Sequence, residues 1–193
     1  MKTRHILTAM LAVTVMIISS GCGTVSLDAV SQDTIGLAKD QSLTYTIVAD
    51  FDEEYYDVDE LTAMAEAETE ESGLGIRVSS AEVTDNVLSF TYEMDSADDY
   101  QTFMETSCYL GTIASAFSDS YKLQVTVTSV KDQFQITLAD VSHTDYSLFI
   151  WNEIIAVRCP GKVVYYSTNL ELTDDYDVVP LADSTGPYFV VYR

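Results

Sequence analysis

The sequence predicts a single α+β domain, built on a mostly antiparallel β-sheet of about seven or eight strands with two helices. Segments of alternating polar and apolar residues, rich in β-branched and aromatic side chains, recur along the chain and are typical of half-buried strands. These segments cluster together instead of alternating with helical segments. Such clustering favours an antiparallel sheet over a parallel α/β fold.

The first half of the domain shows a strand, a helix and a hairpin in that order. Residues 42–50 (SLTYTIVAD) alternate between polar and apolar side chains and predict a strand. A helical segment follows, which Asp57 or Asp59 can cap at its start and Gly73 can end. Two further apolar stretches then flank a short polar turn at residues 84–86, so we expect a β-hairpin there.

The second half is dominated by strands. Ser96 opens a sequence that resembles a capping box and predicts the second helix. From Tyr121 onward we expect two strands joined by a tight turn at Lys131-Asp132. The apolar run 147–159 fits either a buried strand or a short helix. Pro160-Gly161 then occupies the central positions of a type II turn, and the last strands follow it.

The N-terminal segment is typical of an export signal. Lys2 and Arg4 form a short basic stretch, and residues 6–18 are mostly apolar. About 13 residues are too few for a membrane-spanning helix, but they suit the core of a signal peptide. Small residues at 19–21 stand directly before Cys22. This pattern resembles the lipobox of bacterial lipoproteins, in which the cysteine thiol is diacylated and the chain is cut just before it.

The lipobox resemblance implies a division of the chain into a signal peptide (1–21), a lipidated tether (22–41) and an extracytoplasmic α+β domain (42–193). Cys22 is then the lipid attachment site, and the protein is anchored in the cell membrane, facing outside the cytoplasm. Two acyl chains would hold it firmly, because one chain alone gives only marginal binding. The alternatives are an ordinary secretory peptide in which Cys22 is incidental, and an uncleaved anchor.

The charge of the chain restricts its partners. The sequence has nine basic and 31 acidic residues, and the predicted signal peptide contains two of the basic ones and none of the acidic ones. The remaining seven basic and 31 acidic residues give a formal charge of −24. This charge repels phosphate backbones and disfavours nucleic acid as a partner. It also disfavours docking on anionic lipid headgroups through a basic patch.

Cysteine, histidine and acidic residues supply the candidate sites of the domain. Cys108 and Cys159 are a candidate disulfide pair, which would close a loop of roughly 50 residues. The acidic stretch 50–60 and the acidic residues 174–177 could form an irregular calcium site, but a solvated acidic loop is the simpler interpretation. His143 has no nucleophile motif beside it, and no ligand spacing typical of a metal site occurs.

A second resemblance comes from Pro160-Gly161-Lys162-Val163-Val164 followed by Ser167-Thr168-Asn169. This segment resembles the "PGKV…SN" segment of LppM-type bacterial lipoprotein domains. The likeness extends over roughly residues 42–193, although the family's following strand carries a tryptophan and this chain has its only Trp at position 151. The resemblance implies an envelope-facing α+β domain with a groove for an apolar ligand. It transfers no catalytic residues.

We therefore expect a membrane-anchored envelope lipoprotein with a non-enzymatic domain that binds a ligand or a partner. The expected partners are the membrane, through Cys22, and a lipid or protein ligand in the envelope. We expect no catalytic residues, no metal and no cofactor. One alternative is a structural or interaction lipoprotein at the surface without a small ligand. The other is an envelope hydrolase, which would require His143 beside a cysteine or serine.

Overall fold

The structure, a computed structural model, describes residues 30–53, 56–119 and 121–193. The predicted α+β class is confirmed, because this part of the chain contains three α-helices and thirteen strands in two mostly antiparallel sheets. The helices are α1 (Val58–Ser72), α2 (Ala97–Phe103) and α3 (Ile113–Ser118), with a 3-10 helix at Leu138–Val141. The strands are β1 (Thr34–Leu37), β2 (Leu43–Asp50), β3 (Ile76–Thr84), β4 (Val87–Met94), β5 (Tyr109–Thr112), β6 (Thr126–Ser129), β7 (Gln135–Thr137), β8 (Ser147–Trp151), β9 (Ala156–Arg158), β10 (Val163–Ser167), β11 (Leu170–Leu172), β12 (Asp177–Pro180) and β13 (Tyr188–Tyr192).

The strands form two sheets of similar size. The first sheet has seven strands in the order β11-β12-β9-β1-β2-β4-β3, and the second has six in the order β5-β8-β13-β10-β6-β7. Neighbouring strands run antiparallel, with the exception of β1 and β9, which pair in parallel. In the second sheet, β13 lies between β8 and β10. β13 is therefore an interior strand of the second sheet, paired along both of its edges.

The domain has two hydrophobic cores, one on each face of the second sheet. The larger core fills the space between the two sheets and is closed by α1 and α2; Trp151, Tyr188 and Tyr100 are fully buried in it. The smaller core lies on the opposite face of the second sheet, where Leu148, Ile150 and other residues pack beneath α3 and the 3-10 helix. The second sheet is therefore buried on both faces, which explains its runs of apolar residues.

The helix and hairpin of the first half follow the sequence prediction. Asp57 caps α1, its side chain accepting hydrogen bonds from the backbone N–H groups of Asp59 and Glu60 at 2.9 and 3.2 Å. Gly73 ends the helix in the left-handed conformation, with φ 66°. The turn between β3 and β4 has two residues with positive φ, at 85 and 86, as a tight two-residue hairpin requires.

The predicted tether ends too late in the sequence. Residues Thr34–Leu37 are not part of a tether, because β1 is completely buried between β2 and β9. The chain then turns back through Ala38–Gln41, and this turn joins β1 to β2. The boundary at residue 42 is therefore wrong, and the domain includes β1. A strand of only four residues is too short to show the alternation by which strands are recognised.

The strands are also more numerous than the seven or eight predicted. The apolar run 147–159, which fitted a strand or a helix, is divided between β8 in the second sheet and β9 in the first. The predicted strand from Tyr121 begins only at Thr126. Strands of three to five residues are too short to show an alternation of polar and apolar residues. In the sequence they are therefore joined to a neighbouring strand or missed.

Candidate functional site

A mostly apolar cavity of about 260 Å³ lies at one end of β13. Its apolar walls are Tyr121, Ile150, Pro187 and Phe189. Ile150 and Phe189 belong to the smaller core, so the cavity continues that core towards the solvent. A volume of this size exceeds the roughly 150 Å³ that suffices for a benzene molecule. We call this site the apolar cavity.

Polar side chains line one side of the apolar cavity and are held by hydrogen bonds. The Gln101 side chain accepts from the backbone N–H of Cys108 at 3.2 Å and donates to Asp98 at 3.1 Å. The Asn152 amide nitrogen donates to the backbone oxygen and the hydroxyl of Ser107, at 2.8 and 3.1 Å. Both amide side chains are thus fixed in orientation before any ligand arrives.

The carbonyl oxygen of Asn152 remains available to a ligand. None of the described residues donates a hydrogen bond to this Oδ1 atom, whereas both functional groups of the Gln101 amide are occupied. A ligand hydroxyl or N–H group could donate to it. Lys122, also in the lining, contributes a cation that forms no ion pair with any described acidic residue.

The wall at Pro187 is held in place by a close contact between the backbones of Gly186 and Asn152. A Cβ atom on Gly186 would lie 2.7 Å from Cα and 2.8 Å from the backbone oxygen of Asn152. Only glycine fits this contact, which brings the Gly186–Pro187 segment, with its cis peptide bond, against the loop that carries Asn152. The two loops that bound the cavity are therefore packed against each other.

Cys108 lines the apolar cavity as a neutral thiol. Burial, together with the negative charges of Glu153 and Asp98, raises the pKa of Cys108 to about 12. Its Sγ–H group lies 3.7 Å from the backbone oxygen of Ala97, to which it donates. Because the thiolate is the reactive form of cysteine, Cys108 is a wall of the cavity and not a nucleophile.

The predicted disulfide between Cys108 and Cys159 is not formed, since both residues are free, buried thiols. Cys108 precedes β5 and lines the apolar cavity beside Phe189. Cys159 lies near Tyr192, at the other end of β13, and burial raises its pKa strongly. Tyr188 and Tyr192 are separated by about 13 Å at the usual rise per strand residue. A disulfide requires Cα atoms within about 7 Å.

The other sequence candidates do not assemble into a site. His143 is exposed and has no hydrogen bond or ion pair with any described residue. The carboxylates after β11 are occupied, since Asp174 accepts from two backbone N–H groups, Asp175 pairs with Lys162 and Asp177 pairs with Arg158. Within the described ranges, no group of three or more His, Cys, Asp or Glu residues is arranged to hold a metal ion.

The predicted lipid attachment site, Cys22, lies outside the described residues, as does Glu54 of the acidic stretch. In the part of the chain that the structure describes, no helix has the length and apolar character needed to cross a membrane. Comparison with protein-family models, curated proteins and solved structures gives no significant match for this chain.

Most residues of the apolar cavity carried no individual signal in the sequence. Gln101, Tyr121 and Phe189 lie up to 88 positions apart and meet only through the pairing of β5, β8 and β13. One signal was present: the polar pair Asn152-Glu153 interrupts the apolar run 147–159. Such an interruption indicates a loop at the end of a buried strand, and a loop is where a binding residue is expected.

Proposed function

We propose that this chain is a membrane-anchored envelope lipoprotein whose α+β domain binds a small, mostly apolar molecule in the apolar cavity. The observation that supports this function best is the cavity itself, with apolar walls, of which Ile150 and Phe189 are buried, and an oriented carbonyl acceptor on one side. Ligand sites of proteins commonly combine apolar walls with a few fixed polar groups.

The size and the polar groups of the cavity restrict the ligand. A volume of about 260 Å³ corresponds to roughly nine water molecules. This is too little for a whole phospholipid, and it suits a single ring or a short acyl chain. The free acceptor on Asn152 favours a molecule with one hydroxyl or N–H group. p-Cresol, which has a ring, a methyl group and a hydroxyl, is therefore a suitable probe.

The lipid anchor at Cys22 rests on the lipobox resemblance. Its test is partition of the chain between detergent and water after extraction from the envelope. The native chain is expected in the detergent phase, and a chain that begins at residue 24, exported with an ordinary cleavable signal, in the aqueous phase. Detergent partition of both would contradict lipid attachment at this residue.

Ligand binding is tested with two tyrosines that have the same exposure. Tyr121 and Tyr176 are each 41% exposed, but only Tyr121 lines the apolar cavity. Titration with p-cresol, followed by the NMR signals of the backbone amides, should show about tenfold weaker binding to Tyr121→Ala, because a ring wall is lost. Tyr176→Ala should bind as the native chain does.

A third variant separates the loss of the wall from a loss of structure. Tyr121 packs against Tyr109 with ring centroids 4.6 Å apart, and Tyr121→Phe keeps this contact. It should retain p-cresol binding. p-Cresol also enters detergent micelles, so all variants are compared at one detergent concentration. Equal binding to all of them, or no binding at Ser107, Cys108 and Asn152, would exclude the proposed site.

A protein ligand is the second candidate function, and one observation favours it. Large apolar side chains are exposed close in sequence to the cavity, with Phe117 57% and Ile154 68% exposed. Exposed apolar surface beside a pocket is typical of contact sites for other proteins. No such observation favours an envelope hydrolase, because among the described residues no hydrogen bond joins His143 to a cysteine or serine, and burial raises the pKa of both thiols.

A further inference from the structure

A second cavity, of about 250 Å³, lies at the opposite end of β13. It is formed where the turn between β1 and β2, strand β5 and the end of β13 meet, so both sheets contribute to it. Lys39 and Arg193 are its charged lining residues, and none of the described residues that line it is acidic. We call this site the cationic cavity.

The accumulation of two cations here is unusual for this chain. Only seven basic residues follow the predicted signal peptide, against 31 acidic ones. Three of the seven, Arg77, Arg158 and Lys162, form ion pairs with carboxylates of the described residues. Of the remaining four, two line this one cavity. A smaller cavity on the outer face of the first sheet also contains a cation, Arg158, but Asp177 binds it through two hydrogen bonds of 2.8 and 2.7 Å.

The turn that carries Lys39 has a defined conformation. The backbone N–H of Gln41 donates to Ala38 at 3.2 Å, and Gln41 adopts a left-handed conformation with φ 71°. This geometry is that of a three-residue hairpin loop with a bulge. Asp40 is the nearest acidic neighbour in sequence, and its carboxylate accepts hydrogen bonds from the backbone and hydroxyl of Ser42. It is directed into the turn and forms no ion pair with Lys39.

The side chain of Arg193 is held by Tyr146, the residue directly before the neighbouring strand β8. Its guanidinium carbon lies 5.7 Å from the ring centre of Tyr146, and Nη1 donates to the tyrosine hydroxyl at 3.4 Å. Tyr146 precedes β8, where Ser147 pairs with Tyr192 of β13. An arginine fixed over an aromatic ring retains donors for an anion, and it loses less side-chain freedom on binding.

We propose that the cationic cavity binds the oxyanion of a small ligand, a phosphate or carboxylate group, between Lys39 and Arg193. The negative charge of the whole domain does not prevent this, because charges beyond about 8 Å are largely screened at physiological ionic strength. Nucleic acid would meet the acidic surface around the cavity, whereas a single small anion meets a lining without acidic side chains. This site is independent of the apolar cavity and adds to the proposed function.

The test is a titration with inorganic phosphate, followed by backbone amide signals at constant ionic strength. We expect shifts at Lys39, Gly111 and Gly161. Lys39→Gln and Arg193→Gln should each weaken binding about tenfold, because each removes a charge-assisted contact. The matched control is Lys131→Gln, which removes an unpaired cation in the turn before β7, outside the cavity. The affinity of the Lys131→Gln variant for phosphate should equal that of the native chain.

The source of the anion is resolved by a second probe, dihexanoyl phosphatidylglycerol. Binding of inorganic phosphate alone assigns the cavity to a soluble anion, and binding of the lipid with the same dependence on Lys39 assigns it to a phospholipid headgroup. Absence of binding for both probes overturns the proposal. An equal loss in the Lys131→Gln variant also overturns it, since the effect would then reflect only the overall charge.

Discussion

The two cavities at the ends of β13 have nearly the same volume, about 260 and 250 Å³, and opposite chemistry. The apolar cavity extends a hydrophobic core and presents one oriented carbonyl oxygen. The cationic cavity lies at a junction of both sheets, and Lys39 and Arg193 are the charged residues of its lining. The acidic composition of the chain therefore describes its surface as a whole, but neither of these two cavities.

The chemistry of each end follows from the elements that build it. At the apolar end, buried strand residues of β8 and β13 form the wall, and strands buried on both faces are apolar. At the cationic end, the wall comes from turns and strand ends, where long charged side chains can lie. A glycine makes the close approach at each end, Gly186 against Asn152 and Gly161 against Arg193.

The largest expected effect is a slow reaction of the buried thiols, Cys108 and Cys159, with an alkylating reagent. Both should be free, so the unfolded, unreduced chain should take up two alkyl groups on Cys108 and Cys159. In the folded chain at pH 8, Cys108 should react about a thousandfold more slowly, since a pKa of about 12 in place of 9 leaves about a thousandth of the thiolate. The rate should rise about tenfold per pH unit up to that pKa.

Mass spectrometry of timed alkylation reactions measures these rates. A chain whose mass is two units low, and which accepts no alkyl group until it is reduced, would contain the disulfide. A disulfide would require Cys108 and Cys159 to be adjacent, so the two cavities could not lie at opposite ends of β13.

Gly161→Ala should destabilise the cationic end. A Cβ atom there would lie 2.3 Å from the backbone oxygen of Arg193, too close for any real contact. Gly161 does not have the positive φ of the predicted type II turn, so this contact is what requires glycine. We expect a loss of about 3 kcal/mol in the free energy of unfolding, from urea denaturation.

Gly73→Ala is the matched control for this substitution. Gly73 has φ 66° with nothing within 4 Å of the added Cβ, so only backbone strain of about 1 kcal/mol is expected. Gly161→Ala should also weaken phosphate binding and leave p-cresol binding unchanged. A smaller loss of stability than in the control would show that Arg193 does not pack against Gly161.

Asp175→Asn should produce the smallest effect. Asp175 pairs with Lys162 beside Gly161, and the two side chains are 60% and 64% exposed. An exposed pair contributes little stability, so we expect a change below about 0.5 kcal/mol. The released Lys162 should strengthen phosphate binding about twofold. Glu171→Gln, which removes an exposed carboxylate on β11, is the control, and an equal gain there would indicate a general charge effect.

Much of the fold could be predicted from the sequence because its signals are local. Asp57 and Gly73 cap α1, and residues 84–86 form the turn of the longest hairpin, as local side-chain and backbone preferences dictate. The burial of β1 could not be predicted, because it comes from pairing with β9, more than a hundred residues away, as well as with β2. Such pairing has no local pattern.

Less of the candidate sites could be predicted. Lys39 was assigned to a tether, and Arg193 is simply the residue after a strand; only the antiparallel pairing of β8 with β13 brings Arg193 beside Tyr146. Cys108 and Cys159 were a candidate disulfide pair, but both thiols are free, and their distance depends on the register of three strands. Register is set by the whole fold and not by residue spacing.

The central proposal is that the two ends of β13 are separate sites with different ligands. The most direct measurement is to titrate one amide-labelled sample first with p-cresol and then with inorganic phosphate. We predict that p-cresol shifts Ser107, Cys108 and Asn152, and that phosphate then shifts Lys39, Gly111 and Gly161 with an unchanged affinity. Shifts of one common set of amides by both probes, or of neither set, would contradict it.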